Sequence, residues 1–90
     1  MTKIVQKEKA VYVNNRLADY GAIDHIHQER AGVWMGYTSW CGERYGFTLV
    51  GGQASGGASN EWYLTFPLLF GDQPVRYNSA KAAIEAISKG

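Results

Sequence analysis

His25 and His27, flanked by Asp24 and Glu29, come nearest in this chain to the residue types and spacing of metal chemistry. On a strand, His-x-His places both imidazoles on one face, where they can share an ion. A third ligand must then come from elsewhere, and Cys41 is the obvious source. Two histidines on a strand are more often surface or half-buried packing residues, and neither ligand count nor supporting partners favour a metal here. The reading is no cofactor and no metal, with His25 and His27 as weak candidates. Nucleophilic catalysis lacks a context as well. Cys41 precedes Gly42 in a turn with no evident activating base, and no Ser-His-Asp or Cys-His arrangement is recognisable. The run Gly51-Gly52-Gln53-Ala54-Ser55-Gly56-Gly57 looks like a phosphate cradle, but a P-loop needs Lys-Ser/Thr opening a helix, and this run leads into a strand. The expectation is a binding protein without catalytic machinery.

Aromatic residues are the unusual feature: three Trp, six Tyr and three Phe, with eleven Gly among 90 residues. In so small a chain some rings are expected to be exposed or shared with a partner. Trp34, Trp40, Arg44 and Tyr63 are the candidate partner-binding residues, with Arg30 beside them, because Trp, Tyr and Arg dominate interface hot spots. The same residues could stack bases in a single-strand binder. Arg44-Tyr45-Gly46-Phe47 resembles part of the RNP1 octamer of RNA-recognition motifs. It departs from that pattern: the Gly between the basic and first aromatic residue is missing, and Thr48 stands where Val is usual. No second RNP element and no βαβ order accompany it.

The elements that must position these side chains are read from periodicity. Ala80, Ala83, Ile84 and Ile87 fall at i, i+3, i+4 and i+7 and predict a C-terminal amphipathic helix. Asn78 or Ser79 can cap its start and Gly90 its end, and Glu85 with Lys89 forms an i,i+4 pair. Period-two alternation predicts strands over 33–40, 44–49 and 62–66. A further short strand is expected at Val75-Arg76-Tyr77 after the turn Gly71-Asp72-Gln73-Pro74, and another near Lys9 to Val13. Arg30-Ala31-Gly32 and Cys41-Gly42 supply tight turns, so the pairing is an antiparallel meander. The stretch from Asn15 to Ala31 reads either as a helix, on Leu17, Tyr20, Ile23 and Ile26, or as a strand over Ala22 to Glu29, and the strand is preferred. Residues 51–60, rich in Gly, Ala and Ser, read as a loop.

The fold class expected is α+β, an antiparallel meander of four to six strands with one C-terminal helix packed on one face, in a single domain over residues 1–90. Met35, Tyr37, Phe47, Leu49, Leu64 and Phe66 are expected to meet the helix. Trp34, Trp40, Arg44 and Tyr63 would then point outward, with Gly36 and Gly46 leaving that face flat. The competing reading is that the N-terminal segment covers the outer face.

Apolar residues at 46 %, charged residues at 19 % and a net charge of +1 fit a globular domain and argue against disorder and a dedicated duplex-DNA binder. A single cysteine suits a reducing interior, and residues 1–9 lack the apolar core of a signal peptide. No stretch is apolar enough over sufficient length to span a membrane, so the expected location is cytoplasmic. Three functions follow. The first is a protein-binding module acting on a host protein or complex. In size and layout it is similar to the small accessory proteins of bacteriophages and mobile elements, including anti-restriction and anti-CRISPR inhibitors. The second is a single-stranded nucleic-acid binder, and the third an oligomeric sponge for a nucleotide-like ligand. An uncovered aromatic face also predicts a homodimer.

Overall fold

A computed structural model describes residues 2–52, 60–67 and 73–89 of the chain. Eight strands and one helix follow in order: β1 (Ile4–Lys7), β2 (Ala10–Val13), β3 (Arg16–Tyr20), β4 (Ile23–Arg30), β5 (Val33–Trp40), β6 (Glu43–Gly51), β7 (Trp62–Thr65), β8 (Val75–Tyr77) and α1 (Ala80–Lys89). The strands form two antiparallel sheets, one of three strands in the order β1-β2-β3 and one of five in the order β4-β5-β6-β7-β8. The five-stranded meander with the C-terminal helix on one face is the α+β plan expected from the sequence. The separate N-terminal sheet was not foreseen. It packs beside α1 on the same inner face, so that Val11, Val13 and Ala18 join one core with Ile23, Leu49, Leu64, Ile84 and Ile87. Among the described residues, no helix is long and apolar enough to cross a membrane.

Local chemistry explains two of the hairpins. Asn14 and Asn15 join β2 to β3 with φ of 51° and 67°, and Cys41 and Gly42 join β5 to β6 with φ of 52° and 81°. Two successive left-handed residues make the type I′ turn whose twist matches paired strands, and Asn and Gly reach that region at least cost. The ambiguous stretch therefore resolves as two strands, β3 and β4. Asn15 is a turn residue, and the preferred strand over Ala22 to Glu29 is present as β4. At α1 the Ser79 hydroxyl accepts a hydrogen bond from the Ala82 backbone N–H at 3.1 Å, the expected N-cap. Ala80, Ala83, Ile84 and Ile87 form its buried face, and the ion pair on its wet side joins Lys81 to Glu85 at 3.4 Å. Residues 53–59 of the small-residue loop, Gly71 and Asp72 of the expected turn, and Gly90 lie outside the described residues.

Two polar side chains tie the sheets together. Gln6 on β1 donates to the Ile23 and Asp24 carbonyls at 3.3 and 3.0 Å and accepts from the Ile26 N–H at 3.0 Å. One amide thus satisfies part of the free edge of β4. Asp19, 4 % exposed, accepts from the Ala22 and Ile23 N–H groups at 3.2 and 3.0 Å, and its other oxygen accepts from the Ser88 hydroxyl. Its carboxylate holds the β3–β4 turn against the end of α1. Asp19→Ala strands the buried Ile23 N–H and the part-buried Ala22 N–H and should destabilise the fold by about 1–3 kcal/mol, read as a lower urea midpoint with unchanged slope.

Candidate functional site

The register of the β5–β6 hairpin decides which residues reach the outer face of the five-stranded sheet. Directly paired residues in an antiparallel ladder share a face. Trp34 pairs with Leu49 and Gly36 with Phe47, while Met35 pairs with Thr48 and Tyr37 with Gly46. Leu49 and Phe47 are buried against the helix side, so Trp34 and Gly36 must join them. This corrects the orientation expected for β5. Trp34 is 4 % exposed and packs on Trp62 with ring centroids 5.6 Å apart. Trp40 is half-buried between Tyr45 at 5.5 Å and Phe66 at 5.4 Å. Met35 and Tyr37, expected inside, instead take the outer face. Arg44 and Tyr63 lie there as expected, and Arg30 is exposed at the end of β4 beside the Ala31–Gly32 turn.

A continuous side-chain row crosses this face. Glu29 Oε1 lies 2.6 Å from His27 Nε2, and His27 Nδ1 lies 2.9 Å from His25 Nε2. The His25 ring stacks on Tyr37 with centroids 5.5 Å apart and an interplanar angle of 28°. From the next strand, the Arg44 guanidinium sits 4.2 Å from the centre of the Tyr37 ring. Tyr37 on β5 is therefore flanked by His25 from β4 and Arg44 from β6, and these neighbours fix its ring. Among the described residues Arg44 forms no salt bridge. The nearby carboxylates are engaged elsewhere: Asp24 accepts from the Ser39 hydroxyl at 2.6 Å and Glu43 from the Tyr45 hydroxyl at 2.8 Å. The Glu43 hydrogen bond, with smaller contributions from burial and charge, raises the Tyr45 phenol above its ordinary value. On the outer side, Tyr63 donates to Glu61 at 3.4 Å.

Beside this row lies a depression of about 280 Å³ lined by Met35, Gly46, Thr48 and Pro67. Gly46 creates it. A Cβ added there would have only the Gly36 carbonyl oxygen nearby, at 3.8 Å, so the space above the backbone is open. Met35, 40 % exposed, forms one wall. Met35 and Tyr37 were missed in the sequence, although the Cys41–Gly42 turn, which pairs Trp40 with Glu43, carried the signal for their orientation.

The other candidates separate. Cys41 is exposed in the hairpin turn beyond Trp40, away from both histidines, so it neither completes a metal site nor meets a base. Among the described residues, no group of three or more His, Cys, Asp or Glu is placed to hold a metal ion. A larger cleft of about 570 Å³ opens where the two sheets part, lined by Asn14, Arg16, Trp62, Asn78 and Lys81 among others. Most of its polar groups are already engaged: Asn14 accepts from the Lys3 N–H at 2.8 Å, Asn78 from Arg76 at 3.3 Å, and Lys81 pairs with Glu85. No protein-family model matches the chain, and no match was found among curated proteins or solved structures.

Proposed function

We propose that this chain is a non-catalytic protein-binding module that docks through the outer face of its five-stranded sheet. The role that fits is that of a small phage or mobile-element inhibitor of a host complex, of the anti-restriction or anti-CRISPR kind, acting in the cytoplasm, where the exposed Cys41 stays reduced. The observation that carries this reading is Arg44, held on the Tyr37 ring and without a carboxylate partner among the described residues, beside the open depression at Gly46. A guanidinium fixed before binding loses little entropy on docking, and an apolar recess next to it accepts a side-chain anchor. The partner surface that fits presents a carboxylate adjacent to an apolar side chain.

Nucleic acid is the second reading, and the geometry favours it less. Both candidate tryptophans are turned toward the core, and the Tyr37 ring already has His25 and Arg44 as neighbours. A base would have to displace one of them to stack. A second copy of the chain is the other occupant of the face. Light scattering at about tens of micromolar decides it, since a symmetric dimer doubles the mass and a monomeric mass excludes it.

The test is a tagged pull-down from a host lysate at moderate salt, with and without nuclease. Wild type is compared with Arg44→Ala, Gly46→Val and, as a control on the other sheet, Tyr20→Ala, whose side chain is 75 % exposed. Arg44→Ala is expected to weaken capture about tenfold or more, as hot-spot arginines do. Gly46→Val should abolish it by filling the recess, and Tyr20→Ala should leave it unchanged. Capture that vanishes with nuclease would move the assignment to nucleic acid.

A further inference from the structure

We propose that His25 and His27 form a two-nitrogen site for a divalent transition-metal ion, copper(II) or nickel(II), with water in the remaining positions. The evidence is the distance between the two nitrogens that face each other. His25 Nε2 and His27 Nδ1 are 2.9 Å apart. That 2.9 Å is the hydrogen bond of the metal-free pair, and it places one nitrogen of each ring within reach of a single ion, whose cis nitrogens lie about 2.8–3.4 Å apart for bonds of about 2.0–2.1 Å. Imidazole is a preferred ligand of both ions.

Glu29 supplies what a bare pair of histidines lacks. Its Oε1, 2.6 Å from His27 Nε2, accepts that N–H and so leaves the lone pair of His27 on Nδ1, the nitrogen that faces His25. A carboxylate behind a ligating imidazole sets its tautomer and raises its basicity, which makes Glu29 a positioning residue for the site. For an ion to bind, both facing nitrogens must present lone pairs, so a proton held between them has to move to His25 Nδ1. The two rings are exposed, with centroids 5.0 Å apart, so the turn that makes their lone pairs converge needs no repacking of the core. The β4–β5 register, which sets His25 opposite Tyr37 and His27 opposite Met35, keeps both histidines on the outer face.

The experiment is calorimetric titration of nickel(II) chloride into the untagged chain, with every protein carrying Cys41→Ser so that no thiol competes. Saturable binding of one ion per chain is expected. His25→Ala and His27→Ala should each weaken it at least about tenfold, and Glu29→Ala about tenfold, with Glu29→Gln recovering part of the loss because its carbonyl still accepts the N–H. Nitrogen NMR of the metal-free protein should show His27 carrying its proton on Nε2 in the presence of Glu29 and losing that preference in Glu29→Ala. Melting temperatures should not move, since all three side chains are exposed. Absence of saturable binding, or nickel affinity in the His25→Ala/His27→Ala double variant equal to that of the starting protein, would overturn the proposal.

Discussion

Trp34→Ala is expected to destabilise the domain by about 3–5 kcal/mol, the range for truncating a buried large aromatic. The indole is 4 % exposed, packs on Trp62 and pairs across the ladder with Leu49, itself 0 % exposed. Deleting it removes the aromatic pair and leaves a cavity between the sheet and its covering layer, which the β-ladder around it cannot collapse to fill. For a domain of this size the loss approaches the whole margin of stability, about 5–15 kcal/mol. Chemical denaturation followed by far-ultraviolet circular dichroism reads it. Arg44→Ala and Tyr63→Ala, on the opposite face, should stay within about 1 kcal/mol of the starting protein. If Trp34→Ala were as stable as Arg44→Ala, Trp34 would belong to the surface after all.

The second large effect separates two glycines that look alike in the sequence. Gly36→Val should cost at least about 3 kcal/mol, while Gly46→Val should fold with a change of less than about 1 kcal/mol. A Cβ on Gly36 would lie 2.0 Å from the His25 carbonyl oxygen and 2.9 Å from Phe47 Cζ. The first is backbone of the neighbouring strand and cannot move aside without opening the β4–β5 ladder. The second is a ring in the core. A Cβ on Gly46 meets only one oxygen at 3.8 Å, and a β-branched residue suits a strand. Matching urea midpoints for the two variants would put both glycines on one face, with the faces of β5 exchanged and those of β6 kept.

That exchange is the point at which reading the sequence failed, and the cause is specific. Alternation along 33–40 identifies a strand equally well in either phase, because Trp34 and Trp40 on one side and Met35 and Tyr37 on the other are all apolar. Phase has to come from pairing. The Cys41–Gly42 turn joins Trp40 to Glu43, and counting back along both strands brings Trp34 opposite Leu49 and Gly36 opposite Phe47. With Phe47 and Leu49 inward, the tryptophans follow. A one-residue slip reverses a whole strand, and turn geometry resolves it where hydropathy cannot. The C-terminal helix was legible because its apolar residues recur at helical spacing with a Ser cap ahead of them. The N-terminal sheet was less so. Asn14-Asn15 serves as a turn only because both residues adopt positive φ, and the three-residue recurrence of Leu17, Tyr20, Ile23 and Ile26 imitates a helix. Of the candidate site, Arg44 and Tyr63 were correctly oriented from the sequence. The Glu29–His27–His25–Tyr37–Arg44 row was not foreseen as a unit, because it depends on β4, β5 and β6 lying side by side in one register.

The most direct test of the outer face as the docking surface is hydroxyl-radical footprinting of the chain, free and bound to the protein it captures. Met35 and Tyr20 are intrinsically reactive and lie on different sheets, 40 % and 75 % exposed. Loss of oxidation at Met35 and Tyr63 on complex formation, with Tyr20 oxidised as in the free protein, is the predicted result. Protection of Tyr20 while Met35 remains fully oxidised would contradict it and place the partner on the N-terminal sheet.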